Sequence, residues 1–233
     1  MHTVAVIALK GGSGKTTVAM HMALAAHWRG LDSMVVDIDP QASASDILSA
    51  REEPGPAVVN ASGPKLLAAK FAAVGLKKDL LIVDTAAGAV EDVTEAVVLS
   101  DYVVLVVRPT LIDIAGLVRS FRIVRRLAKP CAVVVNQAPV AREGTEAPLV
   151  RRALRALDYM GAPLAPTILR SRAVYQTALE RGRSVEEMLD KAAAREAAAL
   201  WAWLWSEIQK TPADGTALAV AEAAEEIAEN LTT

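Results

Sequence analysis

Short apolar runs alternate along the chain with longer stretches in which apolar residues recur every three or four positions. Six runs are continuous and rich in Val, Ile and Leu, which is typical of parallel strands that are buried on both faces. They predict strands at residues 4–9, 34–38, 80–83, 102–107, 132–135 and 164–168. The helical periodicity predicts helices at 15–29, 42–48, 65–74, 90–99, 112–127 and 146–159, followed by 170–181 and 185–209.

This alternation of strand and helix predicts an α/β fold with a mostly parallel, twisted sheet and helices on both faces. The loops around Pro54 and Pro139 are too short to divide two domains, so residues 1–210 are expected to form a single domain. A linker and an acidic, alanine-rich helix over 217–230 are expected in residues 211–233.

The composition narrows the class of protein. Hydrophobic residues make up 53% of the 233 residues but aromatic residues only 4%, so the core is expected to be aliphatic. No apolar run approaches the ~18 residues that a membrane-spanning helix needs. The single cysteine, Cys131, excludes a disulfide framework and favours a reducing compartment, and we therefore expect a cytoplasmic protein.

The net charge of −2 conceals an uneven distribution of charge. Residues 119–195 contain fifteen Lys or Arg and seven Asp or Glu, whereas residues 196–233 contain one and seven. A basic stretch therefore precedes an acidic tail.

The sequence KGGSGKTT, at residues 10–17, directly follows the first predicted strand and opens the first predicted helix. Phosphate-binding loops occur in this context, because glycines let several backbone N–H groups surround phosphate oxygens at a helix N-terminus. Leu9 stands where the ordinary Walker A pattern has a glycine, and Lys10 adds a second lysine. The predicted cradle consists of Gly11, Gly12, Ser13 and Gly14.

Three side chains of this loop are predicted to contact the phosphates or Mg²⁺. Lys15 would reach the β- and γ-phosphates, the Thr16 hydroxyl would bind Mg²⁺, and the Thr17 hydroxyl would contact the α-phosphate. A glycine-rich turn with surface lysines is the structural alternative. The spacing and the adjacent Lys-Thr pair favour a nucleotide site.

Carboxylates follow two further predicted strands, where ligands bind in parallel sheets. Asp37 and Asp39 end one strand, and either could face Mg²⁺ or the attacking water. Asp84 follows four apolar residues, the form of a Walker B carboxylate that holds Mg²⁺. Gly88 could offer its N–H to a γ-phosphate. Solvated strand-end caps are the structural alternative for these acids.

Together these segments resemble the ParA/MinD family of deviant Walker A ATPases over about residues 3–190. KGGSGKTT looks like the phosphate loop of that family, VDIDPQAS like its A′ segment and LLIVDTAAG like its Walker B segment. Arg108 and Pro109, with Asp113 downstream, are similar to its Pro-x-x-x-Asp stretch. Residues 170–185 resemble a late sequence block of the family.

The resemblance implies ATP and Mg²⁺ as cofactors and a nucleotide-dependent homodimer. Lys10 would be the signature lysine that reaches the nucleotide of the partner subunit, and Asp39 would position the attacking water. Asp84 would serve Mg²⁺, and Asn136 would contact adenine. The Asp-Pro-Gln sequence that begins at Asp39 favours the ParA branch over MinD.

In the ParA branch, the resemblance implies slow ATP hydrolysis that a ParB-like, centromere-binding protein stimulates. The dimer would bind DNA nonspecifically, associate with the nucleoid and segregate plasmid or chromosomal DNA. The phosphate loop begins ten residues into the chain, so we expect no N-terminal helix-turn-helix. The acidic tail differs from the basic amphipathic helix that would bind a membrane, and we expect no membrane partner.

The basic stretch supplies candidate DNA-binding residues. Three of its arginines recur at helical spacing on one face, and few aromatic residues lie among them, which favours contact with duplex phosphates over base stacking. A solvated basic surface is the structural alternative. The candidates are Arg119, Arg122, Arg126, Arg151, Arg155 and Arg183.

Two other functions remain open from the sequence. A ParA-like ATPase could position a protein complex instead of DNA, and its partner would distinguish the two. A biosynthetic P-loop ligase would form an acyl phosphate on a small carboxylate, and its dimerisation would not depend on ATP. The clustered basic residues and Lys10 argue against the ligase.

Overall fold

A six-stranded sheet forms the centre of the computed structural model, which describes residues 1–61, 65–88 and 90–213. Every strand pair in this sheet is parallel, and the order across it is β3-β2-β4-β1-β5-β6. The prediction of a parallel α/β sheet is confirmed. The strands are β1 (His2–Ile7), β2 (Ser33–Asp37), β3 (Ala57–Asn60), β4 (Leu80–Asp84), β5 (Tyr102–Val107) and β6 (Cys131–Val135).

Helices cover both faces of the sheet. The face that α1 covers also holds α2, α7 and α8, and the opposite face holds α3 to α6. A short 3₁₀ helix, Val185–Glu187, precedes the last helix. The helices are α1 (Lys15–Trp28), α2 (Ser43–Ser49), α3 (Lys65–Gly75), α4 (Val90–Leu99), α5 (Leu111–Arg126), α6 (Pro148–Tyr159), α7 (Ala173–Leu179) and α8 (Lys191–Ile208).

The strand register places the candidate site residues at one edge of the sheet. β1 lies between β4 and β5, and Val6 is opposite Asp84. Asp37 at the end of β2 is in turn opposite Asp84 at the end of β4. Because parallel strands end on the same side, the loop after β1 and these two carboxylates meet at the carboxyl edge.

Helix α1 is buried almost all around, which fixes the loop that precedes it. Residues 18–26 are all buried, between the sheet on one side and α7 and α8 on the other. Several of them are alanines, which let the helix approach the sheet closely. The start of α1 therefore has a fixed position relative to the strand ends.

Two strand predictions differ from the structure. The edge strand β3 was not predicted, because it has four residues, is half-exposed and follows the turn formed by Pro54, Gly55 and Pro56. Residues 164–168 run beside β6 but form only an isolated bridge at Leu164. Pro163 and Pro166 lack the N–H groups that a continuous ladder needs.

The predicted helix over 185–209 is interrupted. Its first three residues form the 3₁₀ helix, and α8 begins only at Lys191. Asp190 caps α8, since its carboxylate accepts hydrogen bonds from the N–H groups of Ala192 and Ala193, both at 3.0 Å. The predicted acidic helix over 217–230 lies outside the described residues.

Helix α8 packs one apolar stripe against the sheet. Trp201, Leu204 and Ile208 are buried, and the ring of Trp205 stacks on that of Trp201 with centroids 5.4 Å apart. None of the helices in the described part of the chain has the length and apolar character needed to cross a membrane.

Replacing Leu204 tests this packing. Leu204→Ala removes a fully buried side chain and should lower the free energy of unfolding by about 2–5 kcal/mol, measured by urea denaturation. Ser206→Ala, at an exposed position of the same helix, should change it by less than about 0.5 kcal/mol. A Leu204→Ala protein as stable as the Ser206→Ala control would contradict the packing of α8.

Candidate functional site

The loop between β1 and α1 curls in a way that requires glycine at two positions. Gly12 and Gly14 have φ values of 75° and 87°, in the left-handed region. A Cβ on Gly14 would also overlap the amide nitrogen of Asn136. The first N–H groups of α1 follow this turn without intrahelical acceptors, as in an anion-binding site.

Two side-chain amides that follow β6 hold the loop from behind. The Asn136 amide donates to the carbonyl of Ser13 at 2.9 Å, and the Gln137 amide donates to the carbonyl of Gly12 at 3.1 Å. The Asn136 side-chain oxygen accepts the Gln137 N–H at 2.8 Å. The contact of Asn136 with adenine, which the family resemblance implies, stays a prediction, and in this structure the Asn136 amide supports the phosphate loop. The role of Gln137 was not predicted.

Lys15 is the first residue of α1 and points into the protein. The residue is only 7% exposed, and burial lowers the pKa of its ammonium group, although the carboxylates of Asp84 and Asp39 partly offset that effect. A buried lysine at the start of a helix is positioned to meet phosphate oxygens.

Asp84 is a buried carboxylate without a hydrogen-bond partner. It is fully buried, and neither of its side-chain oxygens accepts a hydrogen bond from the described residues. Burial raises its pKa to about 7, although the nearby Thr16 hydroxyl and Lys15 ammonium act in the opposite direction. The adjacent carboxylate of Asp37 raises it further. A buried carboxyl group of this kind is stabilised either by a proton or by an additional cation.

Asp37 differs from Asp84 although the two are neighbours in register. Its carboxylate accepts three backbone hydrogen bonds, from Asp39 at 3.0 Å, Ala44 at 2.9 Å and Ser45 at 3.3 Å. Burial nevertheless raises the pKa of Asp37, because these bonds offset it only in part. Asp37 therefore fixes the A′ loop and the start of α2.

Asp39 is less buried than Asp37 and lies at the rim of the site. One oxygen of its carboxylate accepts the Gln41 N–H at 2.9 Å, which stabilises the turn after β2. Its charge is close enough to affect the pKa values of both Lys15 and Asp84.

The residues present fit a magnesium ion that is bound together with phosphate. No group of three His, Cys, Asp or Glu side chains that could hold a metal alone occurs in the described ranges. Mg²⁺ commonly uses one or two carboxylates, phosphate oxygens and water. Asp84 and the nearby Thr16 hydroxyl at the start of α1 would provide such a donor set.

Thr17 lies one residue further into α1. Its backbone carbonyl accepts a hydrogen bond from His21 Nδ1 at 2.7 Å, and His21 Nε2 accepts the Val185 N–H at 3.2 Å. Burial lowers the pKa of His21 to about 4, so the ring is neutral and links α1 to the 3₁₀ helix. This contact was not predicted from the sequence.

Lys10 occupies the outer edge of the loop. Its ammonium group forms an ion pair with Asp113, and the lysine side chain is 40% exposed whereas that of Asp113 is 3% exposed. Asp113 also accepts bonds from Arg108 and from the Thr110 hydroxyl, the latter at 2.7 Å. Burial alone would raise the pKa of Asp113, but these three donors hold it below its usual value.

The turn after β4 lies against the same loop. The Thr85 hydroxyl donates to the carbonyl of Val6 at 3.0 Å, and the Ala87 side chain lies 3.7 Å from where a Cβ on Gly11 would stand. Gly88 is exposed and has a φ of 87°, a conformation that favours glycine.

Five of the six candidate DNA-binding arginines lie on two neighbouring helices. Helices α5 and α6 pack on the same face of the sheet. The five side chains are exposed, and the described residues provide no ion pair to any of them. They are Arg119, Arg122 and Arg126 on α5 and Arg151 and Arg155 on α6.

The sixth candidate is not part of this group. Arg183 follows α7 on the other face of the sheet and forms an ion pair with Glu53. Arg170 and Arg172, also in the basic stretch, bind Glu146 and Glu196. The basic stretch is thus split between exposed arginines on α5 and α6, of which Arg151 also donates to the Glu146 carbonyl at 3.2 Å, and a set of structural ion pairs.

The chain matches the CobQ/CobB/MinD/ParA nucleotide binding domain over residues 4–185, which include the phosphate loop and both strand-end carboxylates. The chain belongs to this family. With its lysine-flanked loop and Walker B aspartate, it is an ATPase of the ParA/MinD type.

Solved structures with low sequence identity share the fold. An apo McdA structure from Cyanothece has a TM-score of 0.72 at 17% identity and covers 88% of this chain and 99% of its own. MinD from Pyrococcus horikoshii with Mg-ADP has a TM-score of 0.69 at 17% identity, covering 87% and 95%. A plasmid partition protein described as putative, from Borrelia burgdorferi, was solved with AMPPNP and has a TM-score of 0.68 at 15% identity, covering 88% and 99%.

A curated relative matches a shorter segment. A Rhizobium rhizogenes protein described as a putative replication protein A is 42% identical over 53 residues. That segment is 23% of this chain and 13% of the relative, so most of the relative lies outside the match.

The orphaned carboxylate of Asp84 makes a prediction about stability. Because the pKa of Asp84 is about 7 in the folded protein but near 3.8 when exposed, its ionisation destabilises the folded state increasingly between about pH 4 and pH 7, fully above pH 7, and not below about pH 4. Asp84→Asn should therefore raise the melting temperature at pH 8, by about 5 °C, and not at pH 4. Calorimetry without nucleotide and Mg²⁺ measures it.

Asp190→Asn is the control of opposite sign. The Asp190 carboxylate accepts two backbone N–H groups at the start of α8, and these bonds hold its pKa below the usual value, so its replacement should lower the melting temperature at pH 8. If Asp84→Asn also lowered it at pH 8, the carboxylate would have a partner in the folded protein, and our interpretation of Asp84 would be wrong.

Proposed function

We propose that this ATPase forms a homodimer when it binds ATP, binds DNA nonspecifically as that dimer, and segregates plasmid or chromosomal DNA with a ParB-like partner. Hydrolysis, which the partner stimulates, would return the protein to monomers. The protein would act in the cytoplasm, associated with the nucleoid.

The different placement of the two loop lysines carries this proposal. Lys15 is buried, near Asp84, where it would serve the nucleotide of its own chain. Lys10 lies at the outer edge and is 40% exposed, so its side chain can reach beyond its own subunit. Positive charge from a second subunit would stabilise the transition state of phosphoryl transfer.

Each residue of the nucleotide site would have its own role in this proposal. Gly11, Gly12, Ser13 and Gly14 would surround the phosphates, Lys15 would bind their β- and γ-oxygens, and Thr17 the α-phosphate. Thr16 and Asp84 would hold Mg²⁺, which supplies charge neutralisation when bound. The Gly88 N–H would meet the γ-phosphate, and Asn136 would support the loop beside the base.

The acids of the A′ segment would act on water. Asp39 lies at the rim, near Lys15 and Asp84, where it could orient an attacking water. Asp37 accepts the Asp39 N–H at 3.0 Å and would hold that carboxylate in position and contribute to the magnesium site through its charge.

DNA is the cargo that the surface supports best. The five exposed arginines of the neighbouring helices α5 and α6 would together provide a basic area for nonspecific contact with phosphates. Arg183 is engaged by Glu53 and would contribute only if that ion pair opened. The similarity to a Borrelia partition protein and to a segment of a Rhizobium replication protein points in the same direction.

A second candidate is the positioning of a protein complex by the same ATPase. The similarity to a MinD described as septum-site determining favours it. The identity of the partner protein separates the two functions. Nothing in the described part of the chain favours the biosynthetic ligase.

Measuring the mass of the protein in solution tests the nucleotide switch. The mass should be that of a monomer with ADP and double with Mg²⁺ and a nonhydrolysable ATP analogue. Lys15→Ala should bind neither nucleotide, whereas Lys10→Ala should bind Mg-ADP within about threefold of the wild type yet lose at least tenfold in turnover. A constant mass with every nucleotide would rule out the proposed switch.

Asp39→Ala separates dimerisation from hydrolysis. It should form the dimer with ATP itself and persist on DNA, because the attacking water is no longer oriented. Normal turnover by this variant would show that Asp39 has no role in positioning water.

The basic area of α5 and α6 is tested by removing three charges. Arg119→Ala, Arg122→Ala and Arg126→Ala together should weaken ATP-dependent DNA binding and make its salt dependence shallower, by about one unit of slope for each phosphate that the protein no longer neutralises. A control with Lys65, Lys77 and Lys210 changed to alanine removes the same charge elsewhere. Equal effects of the two triple variants would show that net charge, not this area, governs binding.

A further inference from the structure

Asp113 is a nearly buried carboxylate that two basic side chains share. Arg108 donates to it through Nε at 2.8 Å and through one terminal nitrogen at 3.2 Å. The ammonium group of Lys10 pairs with the same carboxylate. The Thr110 hydroxyl completes the set at 2.7 Å, and Thr110 also caps α5 by accepting the Asp113 N–H at 3.1 Å.

We propose that Arg108 is a positioning residue that keeps Asp113 neutralised, so that Lys10 can leave this carboxylate and reach nucleotide. The inference rests on the proposed function, in which Lys10 acts on the nucleotide of the partner subunit. It assigns to Arg108 a role in releasing the lysine and not in binding nucleotide.

The cost of stranding a buried charge is the physical reason. Asp113 is 3% exposed, and a buried carboxylate that loses its only cation is strongly disfavoured. If Lys10 were the only cation next to Asp113, its departure would leave a buried carboxylate unpaired, at the full cost in free energy. With Arg108 in place, Asp113 keeps two hydrogen bonds from a guanidinium group, and the departure of Lys10 costs much less.

The two cations are suited to different tasks. A guanidinium group binds a carboxylate through a rigid planar fork, whereas a lysine offers a point charge on a flexible stem. Arg108 uses Nε and one terminal nitrogen for Asp113, and its other terminal nitrogen lies 3.8 Å from where a Cβ on Gly12 would stand. The guanidinium group thus remains fixed beside the phosphate loop, and Lys10 is the cation that can exchange.

The competition between the two cations makes the inference measurable without any activity. In Arg108→Ala, Lys10 becomes the only cation on Asp113 and should be held more tightly. Its amine should then react about fivefold more slowly with trace acetic anhydride, quantified by mass spectrometry against the exposed Lys65. In Asp113→Asn, Lys10 should react faster than in the wild type. Unchanged or faster labelling of Lys10 in Arg108→Ala would overturn the proposal.

Two further variants serve as controls for the labelling of Lys10. Arg108→Gln keeps hydrogen-bonding capacity without the charge and should slow the labelling of Lys10 in the same direction, even if Arg108→Ala unfolds. Arg29→Ala removes a comparable arginine fork, on Glu186 at 2.8 and 3.2 Å, and should leave the labelling of Lys10 unchanged.

Turnover gives a second readout that a purely structural role of Arg108 would not move. Arg108→Ala should bind Mg-ADP within about threefold of the wild type but hydrolyse ATP at least tenfold more slowly. Adding Asp113→Asn should restore turnover to the level of Asp113→Asn alone, because Lys10 is no longer retained. Wild-type turnover in Arg108→Ala, or a double variant no faster than Arg108→Ala, would overturn the proposal.

The two readouts separate the inference from the proposed function. If the wild type neither dimerises with ATP nor depends on Lys10 for turnover, the proposed function fails, and with it the purpose of releasing Lys10. The labelling of Lys10 still decides whether Arg108 and Lys10 compete for Asp113. If the wild type switches as proposed and the labelling of Lys10 does not respond to Arg108, the inference alone is wrong.

Discussion

The arrangement of this site depends on one buried carboxyl group, that of Asp84 at the end of a central strand. The parallel register places it beside Asp37 and near Lys15, yet the described residues give its oxygens no hydrogen bond. A protein that maximised its own stability would place an apolar or amide side chain there. We propose that Mg²⁺, bound together with phosphate, would complete the site by adding positive charge next to Asp84.

At the outer edge of the phosphate loop the situation is the opposite, because the buried carboxylate there has several partners. Asp113 is bound by Lys10, Arg108 and Thr110. A residue that must act elsewhere needs a resting contact that it can leave. An exposed lysine on a carboxylate that already holds an arginine meets that requirement, whereas the buried Lys15 does not.

Most strands and helices of this fold were predictable from the sequence. Buried parallel strands are continuous apolar runs, and the helices between them repeat apolar residues every three or four positions. The turn after β1 was predictable because its positive φ angles favour glycine at positions 12 and 14, and the position of Asp84 was predictable because it follows a run of buried strand residues. The short edge strand β3 was missed because half-exposed strands lack a continuous apolar run. At residues 164–168 the apolar composition suggested a strand, but two prolines in and next to this segment have no backbone N–H group with which to pair with β6.

Partnerships between distant residues could not be predicted. The sequence offers Arg170, Arg172 and Arg183 as part of a basic stretch, but their partners Glu146, Glu196 and Glu53 are fixed only by the tertiary fold. Gln137 also gave no signal, since an amide that reaches a loop carbonyl 125 positions away belongs to no local pattern. The Lys10–Asp113 pair was hidden for the same reason.

Helix α5 connects the two surfaces on which the proposed function depends. Its first turn carries Asp113, and its later turns expose Arg119, Arg122 and Arg126. The Ser120 hydroxyl accepts the N–H of Leu9, at the entrance to the phosphate loop, at 3.4 Å. Sixteen residues of α-helix span about 24 Å, and a helix packed along this length moves as a unit. Asp113 and these arginines are therefore joined by one continuous helix, without any intervening loop.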